Sequence, residues 1–412
     1  MTTSVPETRA ASKPAAPPHE PYGKLFLRFL RFGLLAWGGP VAQIAMLRQE
    51  LVDEERWVTN ERFNRTLAVY QVLPGPEAHE LCVYFGMLAR GRLGGFLAGL
   101  GFMLPGFVLM FALSWFYLAV GITAPLFQGV FLGFQAAVVA LIIRAVHRIG
   151  SHALHDRWLL AIAAASFVGN FLGAPFWLTL LVAGGAYVMV KRGWRQGAVV
   201  LEVVFLGGIA VYAASSFGGV GAESTGLVQA NGAAAGRASL GSVLLSGLRA
   251  GLLTFGGAYT AIPFLQRDAV AVGGWLTTSQ FLDGIALGGI LPAPLIIFST
   301  FVGYVAGGPW GALAMTLGVF LPAFSFTLIG HTYVERMIEH PAIHNLLDGV
   351  TAGVVGLIAT TSIVLLRTGI TSLPAAVIFL LALLAVYRWQ AKAAAAGIVL
   401  GAGLLGAVLS SL

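Results

Sequence analysis

The sequence predicts an all-α polytopic membrane protein made of two inverted-topology repeats with broken helices, with about 13 crossings. Three observations predict it. Of 412 residues, 58% are hydrophobic and 10% charged, against about 25% charged in a soluble domain, and the mean hydropathy is +0.85. Apolar runs of about 18 or more residues recur along the chain, each long enough to span a bilayer, where a transmembrane barrel would alternate in segments of about ten. The chain also repeats itself, with its loop charges reversed.

The repeat is visible residue by residue. Gly33, Leu34, Leu35, Gly38, Gly39 and Ile44 of FGLLAWGGPVAQI (32–44) recur in AGLLTFGGAYTAI (250–262) at an offset of 218. Trp57, Thr59 and Phe63 meet Trp275, Thr277 and Phe281 at the same offset. VLPGP (72–76) meets ILPAP (290–294), and, with one residue dropped, FMLPGF (102–107) meets VFLPAF (319–324). An ordered series at near-constant spacing is the signature of internal duplication.

Loop charge orients the halves, because cations in short loops collect on the cytoplasmic side. In the first half they stand at Arg90 and Arg92, at Arg144, Arg148 and Arg157, and at Lys191, Arg192 and Arg195, with none near 121–124 or 173–175. In the second half the connection at 307–311, which matches the loop of Arg90, is uncharged, and cations stand near Arg336, Arg388 and Lys392; Arg367 is the one misfit. The halves are therefore expected to be inverted. Crossings are expected at 24–47, at 61–90 as one crossing broken at Pro74-Gly75-Pro76, and at 93–120, 125–148, 157–173 and 175–190. A linker helix at 197–217 and six equivalents follow. The expected domains are 1–22, a disordered cytoplasmic tail rich in proline; 23–195, the first repeat; 196–239, a linker helix and external loop; and 240–412, the second repeat. The N-terminus is expected inside and the C-terminus outside.

The net charge of +7 belongs to these loops and forms no basic and aromatic stripe, so nucleic acid is not an expected partner. The lone cysteine, Cys82, allows no intramolecular disulfide and reads as a small core residue. The lipid bilayer is the expected surroundings, and a homodimer is left open.

A helix broken inside a membrane leaves backbone N–H and C=O groups that only protein or a polar cavity can satisfy. The N-terminus of the second half-helix then offers N–H donors and partial positive charge to an anion. The breaks come in matching sets: Gly38-Gly39-Pro40 with Gly256-Gly257, and Pro74-Gly75-Pro76 with Pro292-Ala293-Pro294. Paired breaks in inverted repeats point to a transport site. Arg31 and Arg249 each precede their GG by seven residues, two turns on one helix face, and arginine binds oxyanions through a planar fork. Arg28 and Arg48 are further candidates. All four are also what snorkelling or positive-inside residues look like.

Glu77, His79 and Glu80 follow the PGP break, and their counterparts are Leu295, Ile297 and Phe298. A protonatable cluster in one half alone suggests proton coupling; Glu77 and Glu80, three apart, share a helix face and His79 points elsewhere. Two other stretches read as structural. RAVHRIGSHALHDRW (144–158) holds His147, His152, His155 and Asp156 at spacings that match no compact zinc motif, and reads as a solvated cytoplasmic loop. LRQELVDEERW (47–57) reads as an interfacial helix with Trp57 at the headgroups. No metal or cofactor is expected.

AWGGPVAQIAMLRQELVDEERWVT (36–59), followed by YQVLPGPEAHELCVYFGMLARGRLGGFLAGLGFMLP (70–105), resembles the chromate ion transporter family. TFGGAYTAIPFLQRDAV (254–270) with GILPAP (289–294) resembles the second domain of its long, two-domain members. The resemblance covers about residues 25–370 and carries over at Gly38, Gly39, Pro40, Trp57, Pro74, Gly75 and Pro76. Ala258 and Ala293 stand in the second half where the first has proline and glycine.

It implies two antiparallel domains in a bacterial inner-membrane protein that exports chromate. Moving a dianion out of an electrically negative cytoplasm gains roughly 4–5 kcal/mol per 100 mV, at about 2.3 kcal/mol per charge, which a uniporter and a proton-coupled antiporter both exploit. Sulfate shares chromate's shape and charge and stays open as substrate. A passive anion channel is the alternative; an intramembrane enzyme would need paired acids or HExxH on facing helices, which the sequence lacks.

Overall fold

The computed structural model describes residues 17–120, 125–217, 238–255, 257–330, 341–389, 391 and 393–411. Most of the expected tail, Gly256, Arg336 and Lys392 lie outside the described residues. Among the described residues all regular structure is helical.

The first repeat opens with α1 (Tyr22–Leu34) behind Pro21. α2 (Gly39–Leu47) runs on into a π-helical turn at Arg48–Glu54. α3 (Asn60–Val72) is capped by the Thr59 hydroxyl, which accepts the Arg62 N–H at 3.2 Å. It stops before Pro74, which cannot extend a helix. α4 (Glu77–Val120) reverses direction at Arg90-Gly91. Gly91 has φ 63°, and Gly308, in the matching reversal of the second repeat, has φ 67°, a left-handed conformation that costs glycine nothing. The limbs touch at Gly86 and Gly94, where a Cβ on Gly86 would stand 2.4 Å from the Gly94 carbonyl.

α1 and α2 form a hairpin rather than a crossing. Arg28 bonds Glu20 at one end and Glu55 at 2.5 Å, and Arg31 pairs with Glu50, so the chain returns to the level at which it entered. α3 and the first limb of α4 form a second hairpin. Arg62 donates to the Tyr84 hydroxyl at 3.0 Å, whereas 22 residues of unbroken helix would separate them by about 33 Å. Tyr22 lies under Arg90, 4.4 Å from guanidinium to ring centroid, so the hairpins start and finish on one face.

The second repeat has the same construction. α9 (Leu240–Leu252) leads through a 3₁₀ turn at Ala258–Ala261 into α10 (Ile262–Gln266) and a π turn at Arg267–Val272. α11 (Thr278–Gly289) precedes a 3₁₀ turn at Leu295–Ile297 and α12 (Phe298–Leu328). The π turns carry equivalent bonds, Trp57 N–H to Leu51 at 2.8 Å and Trp275 N–H to Ala269 at 2.7 Å. The ion pair Arg249–Asp268, at 2.7 Å, repeats Arg31–Glu50.

The two repeats are inverted. The limb 92–120 of α4 packs antiparallel to its equivalent, 309–328 of α12: Gly95 faces Leu328 and Gly99 faces Phe324, while Phe107 and Phe111 meet Pro309 and Trp310 at the other end. The repeats also exchange helices. α5 (Pro125–Ala153) of the first packs against α14 (Leu373–Arg388) and α15 (Ala394–Ser411) of the second. α13 (Pro341–Gly369) of the second packs against α6 (Arg157–Phe171) and α7 (Phe176–Lys191) of the first. α8 (Arg195–Phe217) lies outermost, where the linker helix was expected. Glycine lets these backbones approach: a Cβ on Gly133 would meet the Ala402 carbonyl at 2.0 Å. In lipid, close packing of this kind is the main attraction between helices.

Three expectations need correction. The segments 24–47 and 61–90, with their equivalents, are hairpins because their broken ends fold back, so about 13 crossings is too many by these four. Among the described residues five helical stretches remain long and apolar enough to cross, with α6, α7, α14 and α15 shorter. Two hairpins and two crossings leave the chain on the same side, so the inversion survives the miscount. Second, 144–153 is no loop, because the apolar period of Ile142, Ala145 and Ile149 carries α5 on to Ala153. Third, Trp57 is buried inside the protein, edge-on to Phe85 with Arg28 over its ring, and does not present its indole outward as a headgroup anchor.

The hairpins predict labelling. With Cys82 replaced by alanine, cysteines introduced at the equivalent exposed positions Glu54 and Val272 will react with impermeant reagent from opposite sides, Glu54→Cys from the side of the N-terminus. Labelling of Glu54→Cys from the other side would restore the crossing at 24–47.

Candidate functional site

The four breaks are the tips of the four hairpins, and they meet. At the first, Gly38 and Gly39 have φ 92° and 77° and turn the chain into α2. Pro40 occupies the first turn of α2, no side chain caps it, and the Gln43 amide braces the turn on the Ala36 carbonyl at 2.9 Å. The first N–H groups of α2 are thus left to whatever lies in front of them. At the second tip, between Pro74 and Pro76, Gly75 donates its N–H to the Thr254 carbonyl at 2.9 Å. Thr254 belongs to the third tip, where Gly257 has φ 116° and takes the Thr260 N–H at 3.0 Å. The fourth tip, Pro292-Ala293-Pro294, faces the first. Each repeat's first tip therefore meets the other repeat's second.

A cavity of about 190 Å³ lies between the first and fourth tips, bounded by Gly38, Gly39, Pro40, Gly288 and Ala293, with Arg144 and Arg148 of α5 on its wall. Pro40 and Arg148 also line a neighbouring space of about 350 Å³ that passes Glu77 and Gly257 to His152, His155 and Asp348. The first volume suits a small ion rather than an organic ligand, whose pockets run from about 300 to 1,000 Å³. The wider space leads to the C-terminal end of α5. That end lies away from the start of α11, which α5 meets about a third of the way along, where Gln135 bonds Ser279 at 2.6 Å and Asp283 at 2.8 Å.

The arginines divide into two groups. Arg28, Arg31, Arg48 and Arg249 are each paired with a carboxylate, Arg28 with Glu20 and Glu55, Arg31 with Glu50, Arg48 with Asp53 and Arg249 with Asp268. Arg28–Glu55, Arg31–Glu50 and Arg249–Asp268 staple the legs of the first hairpin in each repeat, away from the tips, and the other pairs lie within a leg. Arg144 and Arg148 have no carboxylate partner among the described residues; Arg144 lies over the Tyr387 ring, 4.6 Å from its centroid, and Arg148 is within electrostatic reach of Glu77 and Tyr259. A half-buried guanidinium with no carboxylate in direct contact can receive an anion without first giving up an ion pair, so this pair is better placed for an oxyanion than the pair nominated from spacing to GG.

Glu77 and Glu80 turn toward the tips. Glu77 is 6% exposed and borders the wider space. Glu80 is fully buried beside Gly75, where a Cβ would stand 2.9 Å from its Oε1, and neither of its oxygens has a hydrogen-bond partner among the described residues. His79 points the other way, edge-on to Phe320 and Phe324 with centroids 5.0 and 4.6 Å apart. That face is the inter-repeat packing surface.

The geometry thus gathers Gly38, Gly39, Pro40, Pro74, Gly75, Pro76, Gly257, Pro292 and Pro294 at the tips, with Glu77 and Glu80, and sets Arg31, Arg249 and His79 apart. Arg144, Arg148 and Tyr259 were missed. A signal existed: Arg144 and Arg148 are four apart, on one face of a helix whose apolar period continues through them. α5 and α13 are both 29 residues long, and at the equivalent places α13 carries Thr360 and Val364. The cationic wall belongs to the first repeat.

An inverted-repeat membrane protein with converging broken helices and a cationic cavity has the architecture of a membrane transporter. The chain belongs to the chromate transporter family, whose profile matches it at residues 23–189 and again at 241–407. It is 54% identical over 400 residues to a chromate transport protein of Pseudomonas aeruginosa, covering 96% of this chain and 94% of that one. It is 31% identical over 415 residues to a chromate transport protein of Cupriavidus metallidurans, covering 98% and 97%, and 31% identical over 369 residues to a probable chromate transport protein of Synechococcus elongatus, covering 88% and 89%. No solved structure matches it.

The division of arginines predicts separable phenotypes. Arg148→Gln will reduce anion transport at least tenfold with the amount of folded protein unchanged. Arg31→Gln and Arg249→Gln will chiefly lower thermal stability in detergent, leaving the half-saturating anion concentration within about threefold. The opposite ranking in a transport and melting series would return the site to Arg31 and Arg249.

Proposed function

We propose that this protein transports chromate out of the cytoplasm across the bacterial inner membrane, taking the ion at the meeting point of the four hairpin tips. The observation that carries this reading is that Arg144 and Arg148, with no carboxylate in contact among the described residues, line a small cavity that also receives the uncapped start of α2. Helix N-terminal N–H groups and a planar guanidinium are complementary to a tetrahedral oxyanion. The relatives named as chromate transport proteins make chromate the first candidate among such ions, and sulfate, of the same shape and charge, is the competitor to test.

On the positive-inside rule the face bearing Arg90, Arg92, Arg157, Lys191, Arg192 and Arg195 is the cytoplasmic one, and the wider space leads toward it, which supports an inward-open form. On this reading the N-terminus lies in the cytoplasm and the C-terminus outside. A membrane potential negative inside then favours export of any net negative charge. Glu77 and Glu80 supply protonatable groups beside the anion, His79 does not, and the protein acts as a carrier rather than as an enzyme.

Purified protein in liposomes, with voltage clamped by a potassium gradient and ionophore, tests the reading. Chromate will accumulate against its gradient on the positive side, and sulfate at equal concentration will compete. Chromate that only equilibrates at every voltage and pH gradient would contradict the export mechanism. A second arm addresses Glu80: Glu80→Gln will alter the pH profile of transport, and a wild-type profile with wild-type rate would make Glu80 structural.

A further inference from the structure

We infer that Arg148 is shared between the Glu77 carboxylate and the transported oxyanion, so that each anion bound obliges Glu77 to take up one proton, and the cycle moves one negative charge per dianion instead of two. This rests on the chromate reading above and adds a stoichiometry to it.

Glu77 and Arg148 border the same space, with Pro40 and Gly257 between them, and Arg148 also borders the cavity at the tips. Arg148 thus borders both the space that Glu77 lines and the cavity assigned to the anion. The groups around Glu77 leave few other counter-ions. From α5 and the turn after it come Arg148, His152 and His155. His152 already bonds the Arg148 carbonyl through Nδ1 at 2.8 Å. α13 brings Asp348, which His344 approaches at 3.7 Å, and α2 brings the uncharged Pro40, Val41 and Ile44. On the same helix Glu80, one turn on, is a second carboxyl, and His79 packs the other way against Phe320 and Phe324.

With the site empty, ionised Glu77 and Arg148 balance each other. An incoming dianion takes over the guanidinium, and a bare carboxylate then lies close to two further negative charges in a poorly screened place. Protonation relieves this. The proton comes from water on the loading face and leaves to water on the opposite face after the anion, when Arg148 is again free for Glu77. No covalent bond changes. The second repeat has Leu295 in place of Glu77 and Thr360 and Val364 in place of the arginines, so one such exchange serves the whole molecule.

The experiment is a reversal potential in proteoliposomes, together with proton uptake by the purified full-length protein in weak buffer. For wild type with no pH gradient, a tenfold chromate gradient will be balanced by about 59 mV, the value for one charge, and chromate binding will take up about one proton; two charges would give about 30 mV. Glu77→Gln, which binds without that proton, will reverse near 30 mV and lose its response to a pH gradient. Glu77→Asp will retain proton uptake. Reversal of wild type near 30 mV without proton uptake would overturn the inference whether or not any variant folds. So would Glu77→Gln that still takes up a proton, because the proton would then ride on the anion. A wild type that carries and binds no chromate would instead remove the chromate reading, and this exchange with it.

Discussion

Backbone N–H and C=O groups cannot be left unpaired in hydrocarbon, and the rest of this structure depends on that constraint. Each repeat sends two hairpins into the membrane, and each hairpin ends in glycine or proline residues that cannot complete a helical ladder. The exposed ends are satisfied by one another. The Gly75 N–H on the Thr254 carbonyl joins a tip of one repeat to a tip of the other, and the antiparallel packing of 92–120 on 309–328 sets the two repeats at the depth where this can happen. The groups left over face a cavity. The hairpins therefore gather unsatisfied polar backbone in one small volume, and that volume is where an anion can be held without a dedicated ring of charges.

Electrostatics then separates arginines that hold the fold from arginines that can serve a ligand. An Arg–carboxylate pair at the root of each first hairpin ties its legs, in the same geometry in both repeats. Breaking such a pair leaves a charge uncompensated and costs stability. Arg144 and Arg148 occur once and have no carboxylate of their own among the described residues. The symmetry is useful here: what repeats belongs to the architecture, and what fails to repeat (Arg144, Arg148, Glu77 and Glu80) is where chemistry particular to this molecule can reside.

Much of this was legible in the sequence, for physical reasons. Hydropathy and length place α5 to α8, because an apolar helix in lipid must be about as long as the bilayer is thick. The inversion followed from loop cations. The breaks at GGP and PGP were visible because glycine and proline have few uses inside a membrane helix. What a linear reading could not supply was direction. A break followed by more apolar helix looks the same whether the chain goes on or turns back, and Pro74-Gly75-Pro76 was read as the first when it is the second. Arg31 and Arg249 were plausible from spacing, but their acidic partners, Glu50 and Asp268, come into range only once the hairpin closes. Arg144 and Arg148 were hidden by a loop assignment, since charged residues end most membrane spans and here they do not.

The central claim is that the anion is held at the hairpin tips by Arg148 and the start of α2. The most direct measurement is the position of bound chromate, with chromium located by its anomalous scattering in crystals of the protein. The account predicts a single strong chromium peak between the Arg148 guanidinium and the turn at Gly38–Pro40, within hydrogen-bonding reach of both through the oxygens. A peak beside Arg31 or Arg249, or two symmetric peaks, one in each repeat, would contradict it.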